Sequence, residues 1–109
     1  MIRHCVFIRF KAEISASRRN ALLDEIAALK DQLPGLLAVH TGVNVSPETG
    51  MDKGYSQGFI VDFADSASRD AYLADSEHQA IGARLVAAAQ GGVEGILVYD
   101  LEVVQDTAS

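Results

Sequence analysis

The stretch Ile2–Phe10 reads IRHCVFIRF, and its alternation decides the fold. Successive side chains of a strand point to opposite faces. Ile2, His4, Val6, Ile8 and Phe10 therefore share one face, and Arg3, Cys5, Phe7 and Arg9 share the other. Both faces carry apolar residues, so this strand is expected to be covered on both sides. One cover should come from the chain itself, and the rest of the sequence supplies it.

Ser15 to Leu33 has the period of an amphipathic helix: Leu22, Ile26, Leu29 and Leu33 recur at four, three and four residues, with Leu23 beside them. Ser15 or Ser17 caps its start and Pro34-Gly35 stops it. Leu36 to Val45 reads as a second strand, with Val39, Thr41, Val43 and Val45 on one face and His40, Gly42 and Asn44 on the other. The polar run Ser46–Gly54 is too long for a tight hairpin and predicts a surface loop. Tyr55 to Phe63 is the third strand, with Gln57, Phe59, Val61 and Phe63 aligned. Asp65-Ser66 then caps a short helix ending near Leu73. A further helix opens at Ser76-Glu77-His78-Gln79, read as an S-x-x-Q capping box. Ile81, Leu85, Val86 and Ala89 form its apolar stripe, and Gly91-Gly92 terminates it. Val93 to Val104 is the last strand, with Ile96, Val98 and Asp100 opposite Leu97, Tyr99 and Leu101. Residues 1–105 form one domain, and residues 106–109 are a frayed tail.

The order is β-α-β-β-α-β with the second helical region split. This predicts an α+β, ferredoxin-like fold: a four-stranded antiparallel sheet with helices on one face. Cys5, Phe7, Leu97, Tyr99 and Leu101 fall on the other face. An apolar patch of that kind left in water is a liability, and a second copy related by a two-fold axis covers it most economically.

Composition narrows the function. With 109 residues the chain suits a single core, and 49% hydrophobic content exceeds that of a disordered chain. Nine Lys+Arg against fifteen Asp+Glu give a net charge of −6, with no basic stripe. Neither nucleic-acid binding nor an anionic membrane surface is expected. One cysteine, Cys5, has no internal disulfide partner. With no signal peptide or long apolar run, a cytoplasmic location is expected.

Chemistry concentrates in Ala71–Leu85, AYLADSEHQAIGARL. His78 falls in the first turn of a helix, where free amides and the positive end of the dipole disfavour an imidazolium. A neutral imidazole there suits general acid or base work near pH 7. Tyr72, six residues earlier across a helix joint, is placed to face the same cavity. His4, on the helix-facing side of the first strand, can orient a base or polarise a carbonyl, with Asp100 and Tyr72 as hydrogen-bond partners. The plainer alternative is that these histidines only staple helix to sheet. The expected wall of the cavity is Val6, Ile8, Ile26, Val39, Phe59, Ile81, Leu85, Ile96 and Asp100. His4, His40 and His78 lack zinc-site spacing, no phosphate-binding glycine motif occurs, and no metal or cofactor is expected.

Four places resemble the Dabb family, the stress-responsive dimeric α/β-barrel domains. They are His4–Lys11 (HCVFIRFK), the Leu33-Pro34-Gly35 exit, Gly54-Tyr55, and Ala71-Tyr72-Leu73 followed by His78; the strand ending in Tyr99-Asp100 also fits. The resemblance covers about residues 1 to 102. It implies a homodimer whose sheets pack face to face into a barrel, each subunit keeping a cavity between sheet and helices. Most members have no known reaction. One plant member closes a polyketide chain by aldol condensation without metal or cofactor, through a histidine on the first strand and one opening the last helix. His4 and His78 match those positions and Tyr72 matches a pocket tyrosine. Ile26 stands where that cyclase has a second tyrosine, and Gln57 where many relatives have a histidine. The resemblance thus implies a Dabb domain that binds a small apolar or carbonyl compound. The alternative is a cofactor-independent lyase or isomerase with His78 as base. A space filled by Ile26, Phe59 and Leu85 favours the former; an open one reaching both histidines favours the latter.

Overall fold

The computed structural model describes residues 1–104. The tail expected at 106–109 and the boundary at 105 lie outside the described residues. The strands are β1 (Ile2–Ile8), β2 (Leu36–Val43), β3 (Gln57–Phe63) and β4 (Ile96–Glu102). The helices are α1 (Ala16–Ala27), α2 (Ser66–Ala74) and α3 (Ser76–Ala88). The strands form one sheet in the order β2-β3-β1-β4, and every neighbouring pair is antiparallel. This is the ferredoxin-like α+β arrangement that the β-α-β-β-α-β order predicted.

Register explains the two faces. Val6 stands opposite Phe59 on β3 and Val98 on β4, and His4 stands opposite Val61 and Asp100. Directly opposed residues project to the same side of a sheet. Val6, Ile8, Phe59, Val61 and Phe63 therefore meet Leu22, Leu23, Ile26 and Leu29 from the α1 region. Tyr72, Ile81, Leu85 and Ala88 from α2 and α3 complete one continuous core. Arg3, Cys5 and Phe7 turn outward with Leu97, Tyr99 and Leu101, which remain 43%, 59% and 46% exposed. Cys5 is already only 7% exposed in a single chain, so a partner has little of it left to cover. Phe7 lies over Gly58, where a Cβ would come within 2.7 Å of the ring and 2.6 Å of the Val6 carbonyl oxygen. Only glycine lets the ring come this close.

Several boundaries differ from the sequence reading. β1 ends at Ile8, because the Arg9 backbone bonds to Gly95 and Gln90 instead, and Phe10 makes an isolated bridge to Ala89. The helix expected to Leu33 leaves α-geometry after Ala27 and finishes as a 3₁₀ turn over Ala28–Asp31, which still buries Leu29. β2 stops at Val43, and Val45 is exposed. Tyr55 donates its amide to Asp52 in a turn and precedes β3. Val93 belongs to a 3₁₀ turn (Gly92–Gly95) entered through Gly91 at φ 75°, so β4 begins only at Ile96.

Candidate functional site

Asp75 is the joint on which the site turns. Its backbone is extended (φ −66°, ψ 129°), and its N–H donates to the Tyr72 carbonyl and so closes α2. Its carboxylate accepts from the His78 amide at 2.9 Å and so opens α3. This corrects the capping box: Ser76 is the first helical residue, not the cap, and the Gln79 side chain donates back to the Leu73 carbonyl at 3.2 Å. An extended residue is needed at the cap, and the carboxylate accepts the third amide of the helix in the usual way. One residue thus fixes Tyr72 and His78 against each other.

Their rings lie 4.0 Å apart between centroids, tilted by 40°. Tyr72 also meets Phe63 at 5.0 Å and His4 edge-on at 5.8 Å, while Phe63 lies 6.2 Å from His4. Tyr72 is fully buried. Among the described residues neither its hydroxyl nor His78 Nδ1 has a hydrogen-bond partner, although both atoms are cut off from solvent. Burial pushes the Tyr72 phenol well above its ordinary range, so it stays a donor. Burial also pushes the His78 imidazole below its ordinary 6.5; His4 nearby adds to the drop and Asp75 opposes it. His78 is thereby held neutral at pH 7.

His4 is anchored differently. The register sets it opposite Asp100, and its Nδ1 lies 2.6 Å from Asp100 Oδ1. Asp100 Oδ2 in turn accepts from Arg69 Nη1 at 3.2 Å. Sequence reading named His4, Asp100, Tyr72 and His78 but missed Arg69 and Phe63. The signal for Arg69 was available: it precedes Tyr72 by three residues, so on a helix the two are neighbours.

The expected pocket wall is mostly packed core. Ile26, Phe59 and Leu85 are 1%, 3% and 4% exposed, and Val6, Ile8 and Ile81 are buried beside them, with Val39 and Ile96 partly buried at the margin. These side chains belong to the continuous core beneath the sheet. A groove of about 530 Å³ opens instead on the outward sheet face, beside the β2–β3 loop, lined by Phe7, His40, Met51, Tyr55 and Leu97 among others. Among the described residues no group of three or more His, Cys, Asp or Glu side chains is placed to hold a metal ion. No described helix is long and apolar enough to cross a membrane.

Sheet order, helix placement and a histidine-tyrosine cluster between α2, α3 and β1 define a ferredoxin-like α+β domain with an internal polar site. The chain belongs to the stress responsive A/B barrel domain (Dabb) family, whose model matches residues 2–103. Among solved structures it resembles a dimeric ferredoxin-like protein of unknown function from Jannaschia sp. CCS1. That likeness has 35% identity and a TM-score of 0.86, covering 94% of this chain and 98% of that one. An Arabidopsis thaliana protein shares 21% identity at a TM-score of 0.85, covering 98% and 99%. A hydroxynitrile lyase from Passiflora edulis shares 17% at 0.82, covering 96% and 94%. At those two identities the likeness is one of fold. Among curated proteins none matches.

Proposed function

We propose that this Dabb domain works as a homodimer joined through its outward sheet faces and binds a small carbonyl compound beside Tyr72 and His78. The observation that carries the ligand reading is that two rings in contact, Tyr72 and His78, each hold a buried polar atom, Oη and Nδ1, without a partner among the described residues. A buried donor or acceptor left unpaired costs on the order of 1–3 kcal/mol, and native structures leave few. A ligand oxygen accepts from the tyrosine, and a ligand hydroxyl donates to the imidazole. The packed side chains of Ile26, Phe59 and Leu85 restrict the ligand to a small one. The dimer reading is supported by the exposed Leu97, Tyr99 and Leu101 and by the dimeric relative from Jannaschia. On this face Arg3 and Asp62 satisfy each other: Arg3 donates to Asp62 at 2.8 and 3.2 Å and holds that carboxyl below its usual range. A cytoplasmic setting belongs to the same proposal, because Cys5 has no second thiol to pair with.

The test is NMR titration of the labelled protein with small aldehydes and ketones. Shifts at Tyr72, His78 and the adjoining Phe63, the last vanishing in the Tyr72→Phe, His78→Gln double variant, support the reading; shifts elsewhere, or none, overturn it.

A second reading, cofactor-independent lyase or isomerase chemistry, is favoured by one observation, the neutral His78. Such an imidazole can take a proton from a bound hydroxyl or from carbon beside a carbonyl. A hydroxynitrile, named in the Passiflora edulis neighbour, is the first probe, with aldehyde release as readout. The same depressed pKa makes a stability prediction. Folded His78 binds fewer protons than unfolded, so it costs nothing well above pH 6.5 and destabilises as pH falls through that value. His78→Gln should therefore lose part of the acid sensitivity between about pH 7 and 5. Parallel urea melts at several pH values check this; equal slopes of stability against pH in both proteins would refute it.

A further inference from the structure

We propose that Arg69 is a positioning residue for this site: by holding one oxygen of Asp100 it makes the other fix His4 as the Nδ1–H tautomer, leaving Nε2 as an acceptor. The inference rests on the ligand reading above for its purpose, but its geometry stands alone.

The chain of contacts runs from solvent to core. The Arg69 and Asp100 side chains are about a quarter exposed, and that of His4 is buried. Arg69 divides its donors: Nε and Nη2 go to Asp70 Oδ1, each at 3.1 Å, and Nη1 goes to Asp100 Oδ2 at 3.2 Å. Asp70 thus braces the guanidinium from its own helix while Nη1 reaches β4. Asp100 is left with one oxygen for the imidazole, at 2.6 Å from Nδ1. An ionised carboxylate only accepts, so the nitrogen facing it must carry the proton. In a neutral ring the other nitrogen is then an acceptor. Tyr72 meets the His4 ring edge-on, and Tyr72 is also the residue whose hydroxyl lacks a partner. A ligand hydroxyl between them would find an acceptor in His4 and a donor in Tyr72. Without Arg69 the Asp100 carboxylate, on the edge strand β4, is free to turn to water, and the tautomer is no longer dictated.

A simple staple between α2 and β4 would use the same ion pair, so stability alone does not separate the two roles. The decisive readout is the pair of imidazole ¹⁵N shifts of His4, measured without ligand at a pH alkaline enough to keep the ring neutral. The native protein should show a protonated Nδ1 and a bare Nε2. In Arg69→Gln the ratio of Nδ1–H to Nε2–H should fall roughly tenfold, the scale on which one charge-assisted hydrogen bond matters. Arg69→Lys keeps the charge and should retain most of the native ratio. An unchanged ratio in a folded Arg69→Gln protein overturns the proposal, as does an Nε2–H tautomer in the native protein. Should Arg69→Gln not fold, native-like shifts in Arg69→Lys support the proposal and a shifted ratio there overturns it. Failure of the ligand reading shows separately, as missing aldehyde shifts at Tyr72 and His78 with the His4 tautomer intact.

Discussion

Phe63→Ala should destabilise the protein by about 3–5 kcal/mol, the cost of truncating a fully buried aromatic. Phe63 has no exposed surface and sits at the end of β3, opposite Ile2 and Leu36. Its ring supports Tyr72 at 5.0 Å and His4 at 6.2 Å. The loss therefore has two parts: transfer of the removed carbons, and a void that rigid strands on both sides cannot close. The same void sits beside the polar cluster, so the Tyr72 ring, left with His78 and His4 as its ring neighbours, should gain motion. Urea unfolding at one fixed protein concentration, with the slope m unchanged, reads the first effect. A loss below about 1 kcal/mol would contradict a central place for this ring in the core.

Phe7→Asp should turn a dimer into monomers at micromolar concentration. Phe7 packs against Gly58 on the outward face, with Leu97 across the strand pair. A carboxylate placed there would lie among the exposed apolar side chains Leu97 and Tyr99 of β4. Burying such a charge under a second sheet costs several kcal/mol (order of magnitude), comparable with the whole association energy of a micromolar pair. The folded chain itself should tolerate the change, since the position faces away from the core. Light scattering of the variant beside the exposed helix variant Gln79→Asp checks this. A Phe7→Asp protein that stays dimeric would remove the sheet face as the interface.

Much of the fold was written in local pattern. Alternation in Ile2–Phe10 assigned His4, Val6 and Ile8 to the helix side, and the four-three-four spacing of Leu22, Ile26, Leu29 and Leu33 found α1. What periodicity could not reach were choices among competing partners. Asp75 and Ser76 are both good caps, and the extended backbone at Asp75 decides between them only once α2 has ended. Arg9 continues the alternation, yet Gly95 and Gln90 take its backbone bonds and end the strand. The His4–Asp100 contact was one of several links considered, and register, a long-range property, selected it. The spacing of three places Arg69 beside Tyr72 on one helix, but its contact with Asp100 on β4 is long-range and no local pattern reports it. The pocket wall was assembled from face assignments alone, which say that Ile26, Phe59 and Leu85 point inward but not whether they leave room between them.

The single-residue joint at Asp75 also works as a ruler. Tyr72 ends one helix and His78 starts the next, and their stacking depends on five intervening residues with one extended turn among them. Each residue added to a helix rotates the chain beyond it by about 100° and advances it about 1.5 Å. One insertion or deletion between positions 72 and 78 would leave both helices intact and swing the imidazole out of phase with the phenol. Length is free to vary elsewhere, above all in the loop at 46–54, but not here. A chain that keeps the tyrosine and the histidine and changes the count between them keeps the residues and loses the pair.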